Sequence, residues 1–398
     1  MNQSLARAES RSRSGLRVVV CETEAEVSAL LPQWEKLLDR CANTTIFSTW
    51  EWLGPWWRAY GRGDFRLAAF YDESSALVAI APLFVEQRQE LPHLTLRWLH
   101  LMGDRTGDSD YLDCLVLPGR EREFADALLE YLSSAKVRWD VGELNTVPAI
   151  SAGVAALEAA MARAGWPSRT ETSSGSCIEL PPTWDEYLNK ISSKERGKIR
   201  YRSQRLNKLH QVQFRKCTEI SELDGCLEHL FALHQKRWNS KGEPGSFASS
   251  SRRDFYRHLG RELLTKERLE LWLLELDGRP VAAQFGFVYR QAAYSLQEGF
   301  DPDLTQESVG YVLRAHVLRV MIESGMRYYD FLGGSSESKE RWNAEPRQFK
   351  HVQLARPQSL GAIYFKARWF GEDSREWLRE RLPSPALELI RKMKQGSS

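Results

Sequence analysis

The sequence predicts an α/β (α+β) protein of two tandem units, each a mixed sheet with helices on both faces, joined by a basic helix. Two observations indicate this class. A series of strand, turn, strand, helix and strand occurs twice, and a segment rich in lysine and arginine lies between the copies. The chain has 398 residues, 42% of them hydrophobic, which is too long for one typical core and fits two domains.

Composition narrows the classes of protein to consider. The net charge is only +2, so the protein as a whole has no strong electrostatic attraction for nucleic acid or membranes. An anionic partner would have to bind a local cluster of basic residues. Six cysteines without a CxxC pair indicate reduced thiols in a cytoplasmic protein. There is no HExxH motif, and we expect no metal. No apolar run approaches the ~18 residues of a membrane span, and the polar, Arg/Ser-rich residues 1–14 favour a disordered tail over a transit peptide.

The first unit is recognised by its hydrophobic spacing. In "FSTWEWLGPWWRAYG", Ser48 and Glu51 match a capping box, which predicts a helix start near Thr49, and Pro55 should kink or split that helix. The remaining predicted elements are strands at 18–21, 65–85 (strand, turn, strand), 94–101, 111–117 and 138–144, and helices at 23–40, 120–134 and 150–164.

The second unit repeats this order. "LELWLLELDGRPVAAQFGFV" predicts two strands joined by an Asp-Gly turn, and a strand, a helix over 308–324 and the strand "MRYYDFLGG" follow. "YDESSALVA" of the first unit corresponds to "LDGRPVA" of the second, and "RWDVGEL" to "RYYDFLG". A repeat this long indicates two copies of one unit, at 15–180 and 181–398, each with antiparallel strands, a crossover helix and a parallel strand.

The segment between the copies, "SKERGKIRYRSQRLNKLHQVQFRK", holds nine Lys/Arg against one Glu. We expect a connecting helix over 193–210 in which Arg196 and Arg200 share one face, a pattern that suits a phosphate or carboxylate. A solvated connector is the alternative. The anion could be CoA, a nucleotide sugar, a lipid phosphate or tRNA, because phosphate contacts do not distinguish among them.

These motifs, with "LHQKRW" and "SVGYVLRAHVLRVMIESGMRYYDFLGGSSESKERW", carry a resemblance over residues 45–345. In their order and spacing, the chain resembles the BioF2-like/CelD-like acetyltransferases, FemAB-related members of the GNAT superfamily with a duplicated fold. The resemblance implies two GNAT-like halves around a cleft, and acyl-CoA as co-substrate. The family's pyrophosphate loop, Q/R-x-x-G-x-G/A, corresponds to "QESVGY", which assigns cofactor binding to Gln306 and Gly310. "LHQKRW" adds Arg237 and Trp238 as substrate-binding residues.

Acyl transfer needs a base for the acceptor, a group that stabilises the oxyanion, and alignment of the two substrates. Lys339, which matches the lysine of the family's Tyr-Lys-x-x-Trp motif, is expected to neutralise an oxyanion or a phosphate; a solvated lysine is the alternative. The predicted catalytic carboxylates near strand ends are Asp113, Glu298 and Asp330, although Asp330 could instead satisfy backbone groups at a turn. Asp110, in the same "DSDYLD" run as Asp113, is expected to face the acceptor.

The tryptophans in the opening helix form two stripes. Trp50 and Trp57 share one stripe, and Trp52 and Trp56 share the other. Since one buried stripe would be enough for a surface helix, we expect one face to pack on the first sheet and the other to line the acceptor cleft. Trp50, Trp52 and Trp57 are therefore predicted substrate contacts.

Together these features predict a cytoplasmic N- or O-acyltransferase that moves an acyl group from a thioester, acyl-CoA in the favoured interpretation, to an amine or hydroxyl. The acceptor would be a small molecule or glycan precursor, such as a cell-envelope precursor in polysaccharide biosynthesis. Two alternatives stay open: a FemAB-like enzyme that uses aminoacyl-tRNA, and a non-catalytic, anion-binding scaffold in polysaccharide assembly. The sequence leaves open which half binds the donor, and the oligomeric state.

Overall fold

The computed structural model describes residues 10–11, 15–41, 44–334 and 336–381, with side chains as far as residue 374. Most of the predicted tail, residues 1–9 and 12–14, lies outside the described residues, whereas Ser10 and Arg11 form a short strand. All six cysteines are buried. Among the helices that the structure describes, none is long and apolar enough to cross a bilayer.

The first copy of the unit and the strand that follows it, β8, end at Glu179. Its strands and helices are β1 (Ser10–Arg11), β2 (Arg17–Cys21), α1 (Glu24–Arg40), α2 (Trp50–Tyr60), β3 (Asp64–Tyr71), β4 (Leu77–Leu91), β5 (Leu94–Leu101), β6 (Leu115–Val116), α3 (Glu121–Ser133), β7 (Val141–Pro148), α4 (Ala152–Arg163) and β8 (Ser168–Glu179). A 3₁₀ turn, Ile46–Ser48, precedes α2.

The second copy follows two connecting helices. The elements of this half are α5 (Trp184–Lys190), α6 (Ser193–Leu209), β9 (Val212–Lys216), α7 (Ile220–Asn239), α8 (Ser250–Thr265), β10 (Leu269–Leu276), β11 (Arg279–Tyr289), β12 (Ala292–Phe300), α9 (Val309–Glu323), β13 (Tyr328–Gly333), α10 (Glu337–Glu340), β14 (Glu345–Ala355) and α11 (Leu360–Arg381). Two 3₁₀ turns, Ser246–Ala248 and Pro302–Glu307, precede α8 and α9.

The strands form one sheet in the order β1-β2-β3-β4-β5-β7-β14-β8-β13-β12-β11-β10-β9, and β6 pairs with β4 beside this path. Two pairs are parallel, β5 with β7 and β12 with β13, and α3 or α9 lies in the connection between the strands of each pair. The series β2-α1-α2-β3-β4-β5-α3-β7 therefore recurs as β9-α7-α8-β10-β11-β12-α9-β13. This confirms the prediction of two mixed-sheet units joined by a basic helix.

The two copies exchange their last strands. β8 follows the first copy in sequence but pairs with β13 of the second, and β14 follows the second copy but pairs with β7 of the first. β8 and β14 also pair with each other, from Glu345 opposite Cys177 to Leu354 opposite Ser168. The centre of the sheet is therefore shared by both copies.

Helices cover both faces of the second copy. Along β10, Leu271 and Leu273 belong to a large buried cluster that includes α7 and α8, whereas Trp272 and Leu274 belong to a second cluster under α6 and α9. This alternation is the period-2 pattern of a strand that is buried on both sides. A third cluster packs α11 on β5, β7 and β14.

Helix α2 begins at Trp50, next to the predicted start at Thr49, but its cap and its middle differ from the sequence prediction. Its N-cap is Thr49, which makes no side-chain cap bond; the Thr49 hydroxyl donates to Ile46 O at 2.6 Å instead, so the predicted capping box is wrong. The helix also continues through Pro55 without being split. Pro55 removes one backbone hydrogen bond from the helix. Leu53, Gly54 and Pro55 are buried, and α2 packs against helix α8. This packing keeps the helix continuous at the proline.

Candidate functional site

A cleft of about 840 Å³ opens where β12 and β13 diverge. The two parallel strands pair only from Ala292 opposite Tyr328 to Tyr294 opposite Asp330. Beyond this point they separate, and the residues that follow the last pair face the cleft: Ser295, Leu296, Gln297, Glu298, Phe331, Leu332 and Gly333. The cleft therefore begins where parallel pairing ends, a place where backbone groups and strand-end side chains are available to a ligand.

The first copy supplies the opposite wall. The loop between β5 and β6 contributes Asp104, Arg105, Ser109 and Asp110, and β7 contributes Asn145 and Thr146. This inter-copy cleft agrees with the predicted placement of the site between two halves.

Two tryptophans of α2 hold this loop. Trp52 Nε1 donates to Ser109 Oγ at 2.9 Å, and Trp56 Nε1 donates to Thr106 Oγ1 at 3.2 Å. Both rings are buried, so the sequence correctly indicated a core face. The prediction that Trp50, Trp52 and Trp57 line the acceptor cleft is wrong: Trp52 has no exposed surface, and the other two rings pack against Phe65. The rings of these tryptophans pack in the core. The indole N–H groups of Trp52 and Trp56 hold the loop that faces the cleft.

Asp108 ties the loop to the second copy. Its buried carboxylate pairs with Arg252, and Tyr256 Oη and Tyr60 Oη donate to it at 2.8 and 3.2 Å. Burial raises the pKa of Asp108, and Arg252 and the hydroxyls oppose this shift. Breaking such a buried pair is costly, so the loop is held from both copies.

Asp110 is the acid that this loop presents to the cleft. One carboxylate oxygen accepts the Gly333 N–H at 2.7 Å, which links the loop to the end of β13. Burial raises the pKa of Asp110, and the Gly333 N–H and the nearby Lys339 and His351 work against the rise. A carboxylate with a raised pKa at a ligand-sized cleft is a suitable proton acceptor.

Cationic side chains come from the second copy. Arg237 lies in the cleft with its guanidinium 4.7 Å from the centre of the Phe300 ring, and its Nε is buried without a partner among the described residues. Burial lowers the pKa of Arg237, although an arginine stays charged at neutral pH. Arg314 is paired through two nitrogens with Glu298, with Nε 2.9 Å from Oε1. Glu298 therefore lies in the cleft as predicted, but as the partner of a guanidinium.

Lys339 occupies a more enclosed position than the sequence suggested. Its Nζ donates to Gly334 O at 2.7 Å, Gly333 O at 2.8 Å and Phe331 O at 3.0 Å. These three bonds use all the protons of an ammonium group. Burial lowers the pKa of Lys339, and Asp110 and Asp330 oppose that shift. The geometry suits a lysine that holds the end of β13 in place, and it leaves no proton for an oxyanion.

Asp330 and Asp113 lie behind the cleft. Asp330 is buried, accepts Tyr111 Oη at 2.5 Å and Leu332 N at 2.7 Å, and has a pKa raised by burial to about 6. These bonds fit the backbone-satisfying alternative. Asp113 lines a separate cavity of about 150 Å³, where it accepts the Ser151 hydroxyl, and burial raises its pKa to about 7. The structure thus separates Asp113 from Asp110, which sequence alone could not do.

The basic helix and the predicted cofactor loop lie outside this cleft. Arg196 donates to Leu188 O and Asn189 Oδ1, at the end of α5, whereas Arg200 is exposed beside a different groove of about 300 Å³. The two guanidinium groups therefore do not form the shared anion site that was expected. Trp238 does line the cleft and donates to His234 Nε2 at 3.0 Å.

The start of α9 does not fit a pyrophosphate. A Cβ at Gly310 would come within 3.0 Å of the Phe300 ring, so this glycine permits packing of the helix on β12. Gln306 is exposed on the preceding 3₁₀ turn, among the carboxylates of Asp303 and Glu307. Acidic groups beside a helix N-terminus work against its attraction for phosphate.

The structure also reveals polar residues that sequence reasoning missed. His351 lies in the cleft with Nδ1 3.1 Å from Asn145 Oδ1 and Nε2 2.7 Å from Ser173 Oγ, and Asn145 Nδ2 donates to Asp104 at 2.9 Å. These residues are distant in sequence and carry no motif, and only the pairing of β7, β14 and β8 brings them together. In the described ranges, no group of three His, Cys, Asp or Glu could hold a metal ion.

A duplicated mixed sheet with a cleft at a splayed parallel strand pair defines the class, a tandem α/β fold. Residues 193–341 match the acetyltransferase (GNAT) domain family. This part of the chain, from α6 to α10, is therefore similar to a GNAT domain. No curated protein sequence matches it.

Solved structures show the same fold at low sequence identity. FemX is 10% identical, with a TM-score of 0.58, over 84% of this chain and 97% of that one. A conserved protein of unknown function from Bacteroides thetaiotaomicron is 14% identical, with a TM-score of 0.52, over 82% and 97%.

Proposed function

We propose that the protein is an acyltransferase that moves an acyl group from an activated donor to an amine or hydroxyl bound in the inter-copy cleft. Asp110 takes the proton that the acceptor must lose. The acceptor is a sugar or cell-envelope precursor, as the resemblance to BioF2-like/CelD-like proteins suggests.

The position of Asp110 is the observation that carries this proposal. The carboxylate faces a cleft of about 840 Å³ and is fixed by the Gly333 N–H at 2.7 Å. Its raised pKa makes it a stronger base than an exposed aspartate, and a fixed base within reach of the acceptor contributes ~10²–10⁴-fold to such a reaction.

Arg237 supports the transfer step. A buried guanidinium with an unpartnered Nε in the cleft can bind a developing oxyanion or an anionic group of a substrate. Lys339 acts as a positioning residue in this proposal, because its protons are used by the carbonyls of Phe331, Gly333 and Gly334.

A thioester is the favoured donor, because the family match is to an acetyltransferase domain. The poor fit of the α9 start to a pyrophosphate means that no step is assigned to CoA there. Aminoacyl-tRNA is the second candidate donor. The exposed cations of α6, which include Lys194, Arg205 and Lys208, favour it because they form a surface that a nucleic-acid backbone could contact.

The test is transfer by the full chain under two donor conditions. Acetyl-CoA with a panel of amino sugars, sugars and free amines should release CoA thiol, and the product should gain an acetyl group by mass spectrometry. Transfer from charged tRNA that ribonuclease abolishes would instead identify the second donor. Binding of acceptors without turnover under either condition would contradict an enzymatic function and leave the scaffold alternative.

A further inference from the structure

Helix α7 lies directly on strand β12 at one wall of the cleft, and this contact fixes the position of Arg237. A Cβ at Gly299 would come within 2.4 Å of the His234 backbone nitrogen, so a glycine is needed where the two elements meet. The centre of the Phe300 ring lies 4.7 Å from the Arg237 guanidinium, and this ring is itself packed against Gly310 at the start of α9. Because the ring covers one face of the guanidinium, the nitrogens at its edge remain for contacts in its own plane.

The Arg237 guanidinium has no anionic partner among the residues that the structure describes. The other cations that line the cleft are engaged. Arg105 and Arg314 each pair with a carboxylate, and Lys339 donates its three protons to backbone carbonyls. Glu298 is the acid whose charge acts on Arg237, but its carboxylate already binds Nε and Nη2 of Arg314. One positive charge of the cleft is therefore available to a ligand.

The state of His234, on the same helix as Arg237, follows from its neighbours. An indole N–H only donates, so the bond of 3.0 Å from Trp238 Nε1 to His234 Nε2 requires a lone pair on Nε2 and places the proton on Nδ1. Burial lowers the pKa of His234 to about 4, and the charges of Arg237 and Arg252 add to this shift. The imidazole is therefore neutral at physiological pH and adds no charge to the cleft that it lines.

Gln297 is the second group at this wall that can bind a ligand. Its side chain lines the cleft and approaches the His234 imidazole, where it opposes the fall in pKa. In the described part of the chain, His234 Nδ1 makes no complete hydrogen bond. Since this nitrogen carries a proton, the imidazole favours the amide oxygen of Gln297 on its side. The NH₂ group of the amide is then available to a ligand as a neutral donor, on the same wall as Arg237.

The balance of charge in the cleft selects a monoanion. A single unpaired guanidinium matches the one negative charge and the two oxygens of a carboxylate, which it binds through two parallel N–H···O bonds. A phosphate monoester carries ~2 negative charges at neutral pH. Asp110 faces the same cleft, so the second charge of a phosphate would meet an acid rather than a cation.

We propose that Arg237 and the Gln297 amide form a subsite for a carboxylate of the acceptor. The acceptor is accordingly an amino acid, a hydroxy acid or a sugar acid, in which one carboxylate accompanies the amine or hydroxyl that receives the acyl group. The carboxylate binds at the wall of the second copy, and the amine or hydroxyl faces Asp110 of the first copy. This inference rests on the proposed acyl transfer and specifies the chemical class of the acceptor.

The experiment compares acceptors that differ only in this charge. The full chain receives acetyl-CoA or charged tRNA, whichever supports transfer, and either glucosaminuronic acid and L-amino acids or the carboxamides of the same compounds. We expect kcat/KM to be ~10–100-fold higher for the acids, because the amides lose a charge-assisted hydrogen bond. Arg237→Ala and Gln297→Ala should each lower this preference, and Gln297→Glu should reverse it, because a second carboxylate repels the first. Arg200→Ala, beside a different groove, is the matched control and should keep the preference.

A binding measurement separates this inference from the proposed function. Saturation-transfer difference NMR detects the same acids and carboxamides on the wild-type protein and on Arg237→Ala, and near-UV circular dichroism checks that each variant is folded. Equal kcat/KM for acid and amide, an acid preference that survives in Arg237→Ala, or a stronger preference for glucosamine 6-phosphate would overturn the inference and leave the proposed function intact. Binding of the acids that Arg237→Ala abolishes, without transfer to any acceptor, would instead contradict the proposed function and support the subsite.

Discussion

The two copies of the unit differ in structure at the end of their parallel strand pair. In the second copy, β12 and β13 separate onto the open cleft, where Arg237 faces the space. In the first copy, the loop after β5 folds back, and Asp104 bonds to Asn145 of β7 across the gap. The same architecture thus produces an open site in one half and a fixed polar network in the other.

Their charges differ as well. The loop of the first copy carries the acids Asp104, Asp108 and Asp110, and the second copy contributes the cations Arg237, Arg252 and Arg314. Charged residues of both copies line the cleft, so the electrostatic environment of the cleft depends on both copies. In the proposed function, Asp110 of the first copy takes the proton and Arg237 of the second copy binds negative charge.

The largest expected effect comes from the acid of the first copy. Asp110→Asn should lower kcat by ~10²–10⁴-fold, because an amide keeps the Gly333 hydrogen bond but cannot accept a proton. The wild-type rate should fall as the pH drops through the raised pKa of Asp110, and the variant should lack this limb. Steady-state rates across pH measure both. Asp113→Asn in the same run is the control, since Asp113 lines another cavity; equal losses in both variants would count against a role for Asp110 in proton transfer.

A cation of the second copy should show a different kinetic signature. Arg237→Ala should raise the KM of an anionic substrate by ~10–100-fold, with a smaller change in kcat if the guanidinium binds the ground and transition states equally. Arg237→Lys should recover little, because a lysine cannot reproduce the planar contact with Phe300. Arg200→Ala, on the exposed face of α6, is the matched control. An effect on kcat alone would place Arg237 at the oxyanion instead.

Lys339 should have an intermediate effect. Lys339→Met leaves the carbonyls of Phe331, Gly333 and Gly334 without their shared donor, so the end of β13 should loosen and activity should fall by ~10-fold. Faster amide exchange at residues 331–334, measured by mass spectrometry, distinguishes this role from oxyanion binding. A loss of ~10³-fold with unchanged exchange would restore the sequence-based role as an electrostatic catalyst.

The last prediction concerns stability and leaves activity at a fixed pH unchanged. The pKa of Asp113 is about 7 in the folded protein and near 4 in the unfolded chain, so ionisation favours unfolding as the pH rises from about 4 to about 7. The free energy of unfolding should fall over this window by up to ~4 kcal/mol, and Asp113→Asn should remove that part of the decline. Urea titrations at pH 5 and pH 8 measure the difference. An unchanged slope in the variant would mean that Asp113 is more solvated than its burial indicates.

Sequence periodicity predicted most of the repeated elements, because strands buried on both faces and crossover helices have a strong local pattern. It identified β12, α9 and β13 within a few residues. It missed β8 and β14. The partners of these strands lie 149 or more residues away, and their sequences, such as "SRTETSSGSCIE", are largely polar. The strand predicted at 111–117 is only Leu115–Val116, because the preceding loop bonds to α8 instead.

The site was predicted in part. Asp110, Glu298, Lys339, Arg237 and Trp238 do line the cleft, since strand-end positions indicate where polar side chains gather. The surroundings of Lys339 could not be predicted from the sequence, because the backbone carbonyls that accept its hydrogen bonds do not depend on residue identity. His351 and Asn145 were missed for the same reason that β14 was: their proximity depends on the exchange of strands.

The exchange of β8 and β14 has a consequence for how the chain folds during synthesis. β7 and β8 leave the ribosome long before residues 345–355 exist, so their inner edges stay unpaired while the second half is made. Premature pairing of these edges with another nascent chain is the hazard at that stage. Either half expressed alone would expose the same edges, and the two halves expressed together should combine into one sheet. Completion of the sheet therefore waits for one of the last strands to be synthesised.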